Sequence, residues 1–360
     1  MKSSRETWID YARGIAIILV VYRHAFEGIK DAGVNVQKYL AIEHANMMVF
    51  SFRMPLFFIV SGVFVMGSFK KRGLKEYIIA KSRSILYPYF VWGIFQITIQ
   101  ILLSKYINSK LTFYSYLDLL YMPRAIDQFW YLYALFNVSV LYVLMYYKFR
   151  LKAGYNILIG GVLFFISVMA YQAKINLGFL GDVFHYYLFF AIGDFLSSTI
   201  RNKSNTKYFE SWKLLLVLLF PFLVSQYIFL NRNLPYANIK YVYVEYYQPV
   251  SFITIALIGC LFVIILSFNL QRAKLIPWLH VLGRHSLYIY VSHIMVLAVV
   301  RIFMMKVLGI SFVPILFPTV VIVGLLVPVL LYKLACKLNM RWIFTLEENN
   351  KKVHHANAGA

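Results

Sequence analysis

Long apolar runs separated by short polar segments dominate the chain. A helix that crosses the hydrocarbon core of a bilayer needs about 20 mostly apolar residues. Runs of that kind occur at residues 45–67, 85–104, 129–147, 155–171, 183–199, 213–230, 249–268, 285–304 and 311–335. The pattern therefore predicts an all-α, polytopic transmembrane helical bundle.

A further run, residues 9–28, is less uniform. Its centre, residues 14–22, is apolar, but Arg23 and His24 close it. Hydropathy alone would also fit the apolar region of a signal peptide. Because no small-x-small cleavage site follows, we count this run as the first of about ten spans.

The basic residues predict how the bundle is oriented. With the N-terminus inside, the cytoplasmic loops hold more Lys and Arg than the opposite loops, as membrane proteins generally do. Both termini are then cytoplasmic. Residues 1–345 form one transmembrane domain, and residues 346–360 form a polar cytoplasmic tail.

Composition narrows the class further. The chain is 61% hydrophobic and only 14% charged, which excludes an ordinary water-soluble enzyme. Its net charge of +22 could indicate nucleic acid, but the basic residues lie between apolar runs, so we expect a lipid bilayer and no nucleic acid as partner. Cys260 and Cys336 lie inside apolar runs, and the histidines show no ligand spacing, so no metal site is predicted.

Ionisable residues inside spans are functional candidates because each costs about 2.5–3.5 kcal/mol at mid-bilayer. Arg13 and His24 are eleven residues apart, which places them on nearly the same helix face, about 16 Å apart along the axis. Ile17 and Val20 lie on the same stripe. Glu27, one turn beyond His24, could orient the imidazole. An interfacial histidine and a solvated Glu27 are the structural alternatives.

On the second span, Arg53 lies about eight residues from the outer end, at about the depth of His24. We therefore expect a shared cavity, with a snorkelling arginine as the alternative. Ser61 and Gly62 offer a point where another helix or a substrate chain could come close.

Other polar residues give weaker signals. His293 lies near the middle of the ninth span, and functional and structural roles are equally plausible for it. For Asp182, His185 and Asp194 a structural role is at least as plausible as a functional one. The basic segment 70–83 is expected to be a cytoplasmic hairpin, serving either topology or phosphate binding.

Four motifs occur in an order that resembles the bacterial acyltransferase-3 family of integral membrane acyltransferases. They are Arg13 and His24 as Arg-x10-His, Phe58 to Gly62 as Phe-x-x-Ser-Gly, the aromatic run 129–132, and residues 283–293 as Gly-x-x-Ser-Leu-x-x-Tyr-x-x-His. Two positions depart from the family pattern. A basic Arg-x-x-Arg is replaced by Lys81-Ser82-Arg83-Ser84, and Arg23 stands where glycine often precedes the histidine.

The resemblance implies transfer of an acyl group, usually acetyl, from cytoplasmic acetyl-CoA to a hydroxyl of a carbohydrate or lipid-linked glycan in a bacterial plasma membrane. It implies acyl-CoA as co-substrate and no permanently bound cofactor. His24 would be the base or a transient acyl carrier, helped by Glu27, and Arg53 would stabilise the oxyanion. The implied substrate- and acyl-CoA-binding residues are Asp10, Arg13, Ser61, Lys71, Arg72, Arg83, Trp130, Tyr290 and His293.

In this scheme the pantetheine arm lies along the Arg13–His24 stripe, so that His24 is reachable from both leaflets. A secondary transporter or flippase is the main alternative, because intramembrane Arg, His and Asp could form a proton relay. A structural subunit of a membrane complex is a third. The sequence leaves the acceptor sugar, the acyl group and the oligomeric state open.

Overall fold

The computed structural model of the protein describes residues 6–104, 111–239 and 241–346. In these ranges the chain consists of α-helices joined by short 3-10 and π-helical turns, without a strand, which confirms the all-α prediction. Nearly all of the predicted polar tail lies outside the described residues. The α-helices, in chain order, are α1 (Trp8–Asp31), α2 (Leu40–Met48), α3 (Phe50–Gly62), α4 (Val65–Arg72), α5 (Leu74–Lys81), α6 (Tyr87–Leu102), α7 (Ser115–Tyr121), α8 (Trp130–Phe149), α9 (Ala153–Gln172), α10 (Phe179–Ile200), α11 (Thr206–Phe209), α12 (Trp212–Asn233), α13 (Tyr243–Tyr247), α14 (Pro249–Ala273), α15 (Pro277–Arg284), α16 (Ser286–Ile302) and α17 (Val313–Lys337).

Nine helical segments among the described residues are long and apolar enough to cross a membrane. They are Leu40–Arg72, Leu74–Leu102, Asp127–Phe149, Ala153–Gln172, Phe179–Ile200, Trp212–Tyr236, Pro249–Ala273, Ser286–Val307 and Val313–Lys337. Each contains one of the nine runs predicted from the sequence or most of it. The polytopic bundle is therefore confirmed.

Helix α1 is the tenth long helix of the bundle. Its 24 residues span about 36 Å, enough to cross the hydrocarbon core, although its flanking charges make it less apolar than the other nine. It packs against α3, α14, α16 and α17, and Ala12, Ala16 and Val21 on it have no exposed surface. The helix that carries Arg13 and His24 is thus central to the bundle.

The second and third spans are longer than the sequence predicted. The second runs over Leu40–Arg72 instead of 45–67, and the third over Leu74–Leu102 instead of 85–104. The second span begins earlier because α2 already starts at Leu40, and both spans extend into the basic segment 70–83 because this segment is itself largely helical. Gly73, at φ 77°, turns the chain between α4 and α5, so the expected hairpin is a helix–turn–helix.

Two close helix crossings fix the inner part of the bundle. Gly62 on α3 lies against the backbone of α10 at Phe190 and Asp194, so the small-residue point predicted at Ser61 and Gly62 receives a helix. Gly283 on α15 lies equally close to the backbone of α1 at Asp10 and Gly14. A side chain at either glycine would force these helices apart.

Candidate active site

The site is built around His24, on the outer third of α1. Its ring centroid lies 5.2 Å from that of His293 on α16. The side chain of His24 is 22% exposed, while His293 has no exposed surface. His24 therefore faces the bundle interior, and the two histidines predicted independently on the first and ninth spans lie side by side.

The hydrogen bonds of His293 fix its tautomer. Its Nδ1 lies 3.0 Å from the carbonyl oxygen of Ile289 and 2.8 Å from that of Tyr290. Because carbonyl oxygens only accept, Nδ1 carries the proton of the neutral ring and Nε2 presents a lone pair. This Nε2 is buried and has no hydrogen-bond partner among the described residues. A buried acceptor of this kind is available to a substrate hydroxyl or to a proton on His24.

Glu27 is less closely tied to His24 than the sequence suggested. Its Oε2 lies 3.8 Å from His24 Nδ1, whereas its Oε1 accepts a hydrogen bond of 2.8 Å from Arg23 Nε. Arg23, which replaces the glycine often found in the family, therefore takes the stronger contact of this carboxylate. Glu27 is also about one third exposed, so its charge is partly screened by solvent.

Arg53 lies where the depth comparison placed it. Its guanidinium donates to the carbonyl oxygen of Leu19 on α1 at 3.2 Å, and the residue is 2% exposed. It is close enough to His24 for the two groups to interact electrostatically. The Phe50 ring contacts two guanidinium groups, with its centroid 5.3 Å from that of Arg53 and 5.0 Å from that of Arg23. Arg53 is therefore buried in the bundle and does not extend its side chain to the membrane surface.

A pocket of about 270 Å³ opens at the opposite, inner end of α1. We call it the inner pocket, and it is lined by Ile9, Asp10, Arg13, Ser61, Phe64, Ser68 and Lys81. It thus brings together three of the predicted binding residues, from α1 and α3. Asp10 is buried, and its Oδ2 lies 3.2 Å from His280 Nε2 on the short helix α15.

The inner pocket does not include His24. Ile17 and Val20, on the stripe between Arg13 and His24, are 0% and 3% exposed. Tyr131 is 6% exposed, interacts with the pocket-lining Ser61, and its ring lies 5.2 Å from the ring of Tyr290. The expected open passage along the stripe is therefore closed by packed side chains in this structure.

The other predicted basic residues lie outside the inner pocket. Lys71, Arg72 and Arg83 are exposed, although Arg72 donates a 2.6 Å hydrogen bond to the pocket-lining Ser68. Lys81 lines the pocket, although it was not among the residues predicted to bind the substrate or acyl-CoA. It occupies the first position of the altered Arg-x-x-Arg motif, so the family pattern did contain a signal for it.

Two predicted residues remain, Tyr290 and Trp130, and only Tyr290 contacts a neighbour of His24. Tyr290 donates its hydroxyl proton to the carbonyl oxygen of Gln128, and its ring lies 5.9 Å from that of His293. Trp130 stacks under the guanidinium of Arg124 at 4.2 Å. Tyr290 therefore packs beside the histidine pair, whereas Trp130 packs against Arg124 and Tyr186.

A second polar cluster lies at the outer end of α9 and α10. It joins Asp182 and His185, for which the sequence left a structural or a functional role open, to two partners that the sequence did not indicate. Arg124 Nη2 lies 2.6 Å from Asp182 Oδ1, and His185 Nε2 lies 3.0 Å from Glu245 Oε1. These partners, Arg124 and Glu245, belong to segments between spans, where no pattern of apolar residues predicts which polar groups will meet. Glu245 is buried, whereas the side chain of Arg124 is 52% exposed. His280, beside Asp10, was missed for the same reason.

The comparisons with known proteins agree with this arrangement. A family model described as an acyltransferase domain, of the acyltransferase-3 family, matches residues 6–333. The chain belongs to this family and is a multi-pass membrane acyltransferase. Neither the curated proteins nor the solved structures give a match.

Proposed function

We propose that the protein transfers an acyl group, acetyl in the first instance, from cytoplasmic acyl-CoA to a hydroxyl of a cell-surface carbohydrate or lipid-linked glycan. Its place would be the bacterial plasma membrane. Family membership gives acyl transfer in a membrane. The observation that supports the finer assignment is the placement of His24 beside His293 and Arg53 in the interior of the bundle.

His24 is the proposed base. Its Nδ1 is turned towards Glu27, which leaves the other ring nitrogen for the acceptor hydroxyl. That nitrogen takes the hydroxyl proton as the oxygen attacks the thioester carbonyl. The carbon–sulfur bond then breaks, and the CoA thiolate leaves with the proton that His24 held. In the covalent variant the unprotonated ring nitrogen attacks the thioester carbonyl, the carbon–sulfur bond breaks, and CoA leaves with the proton of the other ring nitrogen. The acceptor hydroxyl then attacks the acyl-histidine, the carbon–nitrogen bond breaks, and the hydroxyl proton returns to the ring.

Arg53 is the proposed oxyanion stabiliser. A guanidinium has five N–H donors, and Leu19 accepts from one of its nitrogens. A cation held in a buried position costs no reorganisation when negative charge develops on the carbonyl oxygen. The low exposure of Arg53 therefore supports this role.

The inner pocket is the proposed site for the donor. Arg13 and Lys81 supply positive charge at its wall, and Arg72 reaches its rim through Ser68. Phosphate groups favour such charge-assisted contacts. Lys71 and Arg83, exposed at the same end, would add to the attraction of CoA from the cytoplasm.

The donor arm must displace packed side chains to reach His24. Ile17, Val20 and Tyr131 are all buried. We therefore expect acyl-CoA binding to separate these side chains, which close the passage to water when no donor is bound.

The test is a transfer assay with purified protein in liposomes. Acetyl-CoA labelled in the acetyl group is supplied with a glycan fraction from the producing cells. The proposal predicts label in the glycan, released by mild alkali as expected for an ester. If acetyl-CoA stays intact with every glycan fraction, the donor and acceptor assignments are wrong, and transport of a glycan or small molecule becomes the better explanation.

A further inference from the structure

A second pocket, of about 460 Å³, opens at the end of the bundle opposite to the inner pocket. Successive spans alternate in direction, so the C-terminal end of α9 and the N-terminal end of α10 lie at the end remote from Asp10 and Lys81. This end is the expected outer side. We call the cavity the outer pocket, and its lining includes Arg124, Tyr171, Gln172, Asp182, Tyr246 and Tyr247.

The floor of the outer pocket offers an unused acceptor. Asp182 is 4% exposed, and its Oδ1 accepts both contacts from Arg124, at 2.8 Å from Nε and 2.6 Å from Nη2. Its Oδ2 is buried and has no hydrogen-bond partner among the described residues. Buried polar atoms nearly always have a hydrogen-bond partner, so we expect a ligand to supply the donor for this oxygen.

Aromatic rings form one wall. Tyr171 and Tyr246 stack with their centroids 3.7 Å apart, and the centroid of Tyr247 lies 6.4 Å from that of Tyr171. Tyr247 is 49% exposed, so its ring is accessible to a ligand. A mostly apolar, aromatic wall with a few placed polar groups is the usual composition of a small-molecule site, and the volume lies in the usual range.

The walls are held together by a buried pair. On α10, His185 Nδ1 lies 3.1 Å from Ser167 Oγ on α9, and His185 Nε2 lies 3.0 Å from Glu245 Oε1 on α13. Three helices that form the pocket are thus connected by one imidazole. A pocket fixed in this way loses little entropy when it binds a ligand.

The chemistry of the lining selects the class of ligand. Arg124 already pairs with Asp182, and the polar atom left without a hydrogen-bond partner among the described residues, Asp182 Oδ2, is an acceptor. A hydroxyl can donate to that oxygen, whereas a phosphate or carboxylate would be repelled by it. The flat apolar face of a sugar ring can in turn lie on the Tyr247 ring. Lys174 adds a cation to the lining, so free phosphate is the ligand that a test must exclude.

We infer that the outer pocket is a saccharide-binding site, in which Asp182 Oδ2 accepts a hydrogen bond from a sugar hydroxyl and the Tyr247 ring covers a sugar face. The inference rests on the proposed function, because it supplies the place where a carbohydrate acceptor is held. Side-chain contacts lead from the pocket towards the transfer site: Arg124 lies over the Trp130 ring, and the ring of the next residue, Tyr131, lies 5.2 Å from that of Tyr290. One sugar unit bound here positions a neighbouring unit of the same glycan towards His24.

Binding and transfer are measured separately to test this. Full-length protein carrying His24→Ala, in lipid nanodiscs, is titrated with maltose, cellobiose and diacetylchitobiose, and in parallel with inorganic phosphate. Binding is followed by the fluorescence of Trp130, which stacks on Arg124, with Trp130→Phe protein identifying its share of the signal. In the protein with His24 intact, the KM for the glycan fraction and the KM for acetyl-CoA are determined in the transfer assay.

The expected result is that at least one disaccharide binds at millimolar concentration and that phosphate at the same concentration does not. Asp182→Asn and Tyr247→Ala should each weaken that binding, and raise the KM for the glycan, about tenfold, with the KM for acetyl-CoA unchanged. The matched controls are Asp194→Asn and Tyr227→Ala. Asp194 is a carboxylate on the same helix that is hydrogen-bonded to Tyr142, and Tyr227 is an exposed tyrosine on α12. Both control variants should keep normal disaccharide binding and a normal KM for the glycan.

Three results would overturn the inference: no disaccharide binds, phosphate binds better, or both pocket variants keep normal affinity and normal glycan KM. None of these three results would contradict acetyl transfer by the unaltered protein. Conversely, saccharide binding without any acyl transfer would leave the site standing and defeat the proposed function. The two claims can therefore fail independently.

Discussion

His24 and His293 come from helices more than 260 residues apart in sequence, and their rings lie 5.2 Å apart with the lone pair of His293 Nε2 unused. A hydroxyl or a proton between the rings can therefore be held by both. The relationship gives His293 a role in positioning the acceptor hydroxyl for His24, beyond its structural bonds to the carbonyls of Ile289 and Tyr290.

We accordingly expect His293→Ala to lower kcat for acetyl transfer about 100-fold, the lower end of what acid–base groups contribute. His293→Gln, which keeps a polar group at this position, should retain more activity than His293→Ala. Both are measured by labelled acetyl transfer at saturating acetyl-CoA. Activity of the alanine variant within twofold of normal would show that His293 only supports the fold.

Lys81 should matter for the donor, because it lines the inner pocket. Removing a hydrogen bond to a charged group costs about 1.5–3 kcal/mol, so Lys81→Ala is expected to raise the KM for acetyl-CoA at least tenfold with little change in kcat. Lys75, exposed on the same short helix, is the matched control, and Lys75→Ala should leave KM unchanged. Equal effects of the two substitutions would mean that only overall charge attracts CoA.

Glu27 should contribute little to the transfer. Its closer contact is with Arg23 at 2.8 Å, while His24 is 3.8 Å away, and the carboxylate is partly exposed. We expect Glu27→Gln to reduce kcat less than tenfold and to lower stability by less than about 1 kcal/mol. A loss of kcat as large as that caused by removing His24 would instead make Glu27 an essential orienting group.

Gly283 should be needed for stability. A Cβ at this position would collide with the backbone of α1 at Asp10, and backbone cannot yield as a side chain does. Gly283→Ala is expected to destabilise the protein by about 1–3 kcal/mol, seen as a lower Tm in nanodiscs. On α9, a Cβ added at Gly161 would have no described atom of a neighbouring element within 4 Å, so Gly161→Ala should keep or slightly raise Tm. An unchanged Tm for Gly283→Ala would refute the tight crossing.

The sequence predicted the features that depend on local regularity. Apolar run length gave the spans, and helical periodicity placed Arg13 and His24 on one helix whose interior contacts are now visible. Depth along neighbouring spans placed Arg53 near His24. These predictions succeed because helix geometry in a membrane is set by the bilayer and by the helix repeat.

What could not be predicted depends on tertiary packing. Arg124 and Asp182 are 58 residues apart, and His280 meets Asp10 only because α15 folds back against α1. Short polar segments between spans give no periodic signal, so their burial is invisible in the sequence. The side chains that close the stripe, Ile17 and Val20, were recognised as lying on it, but their packing follows from neighbouring helices.

The proposed transfer requires His24 above all, and it is tested most directly by measuring acetyl transfer by His24→Ala protein at normal abundance in the membrane. We predict a loss of at least 100-fold. His44→Ala, a half-buried histidine on α2 outside the site, is the control and should keep normal activity. Glycan acetylation by the His24→Ala protein at the normal rate would contradict the central claim.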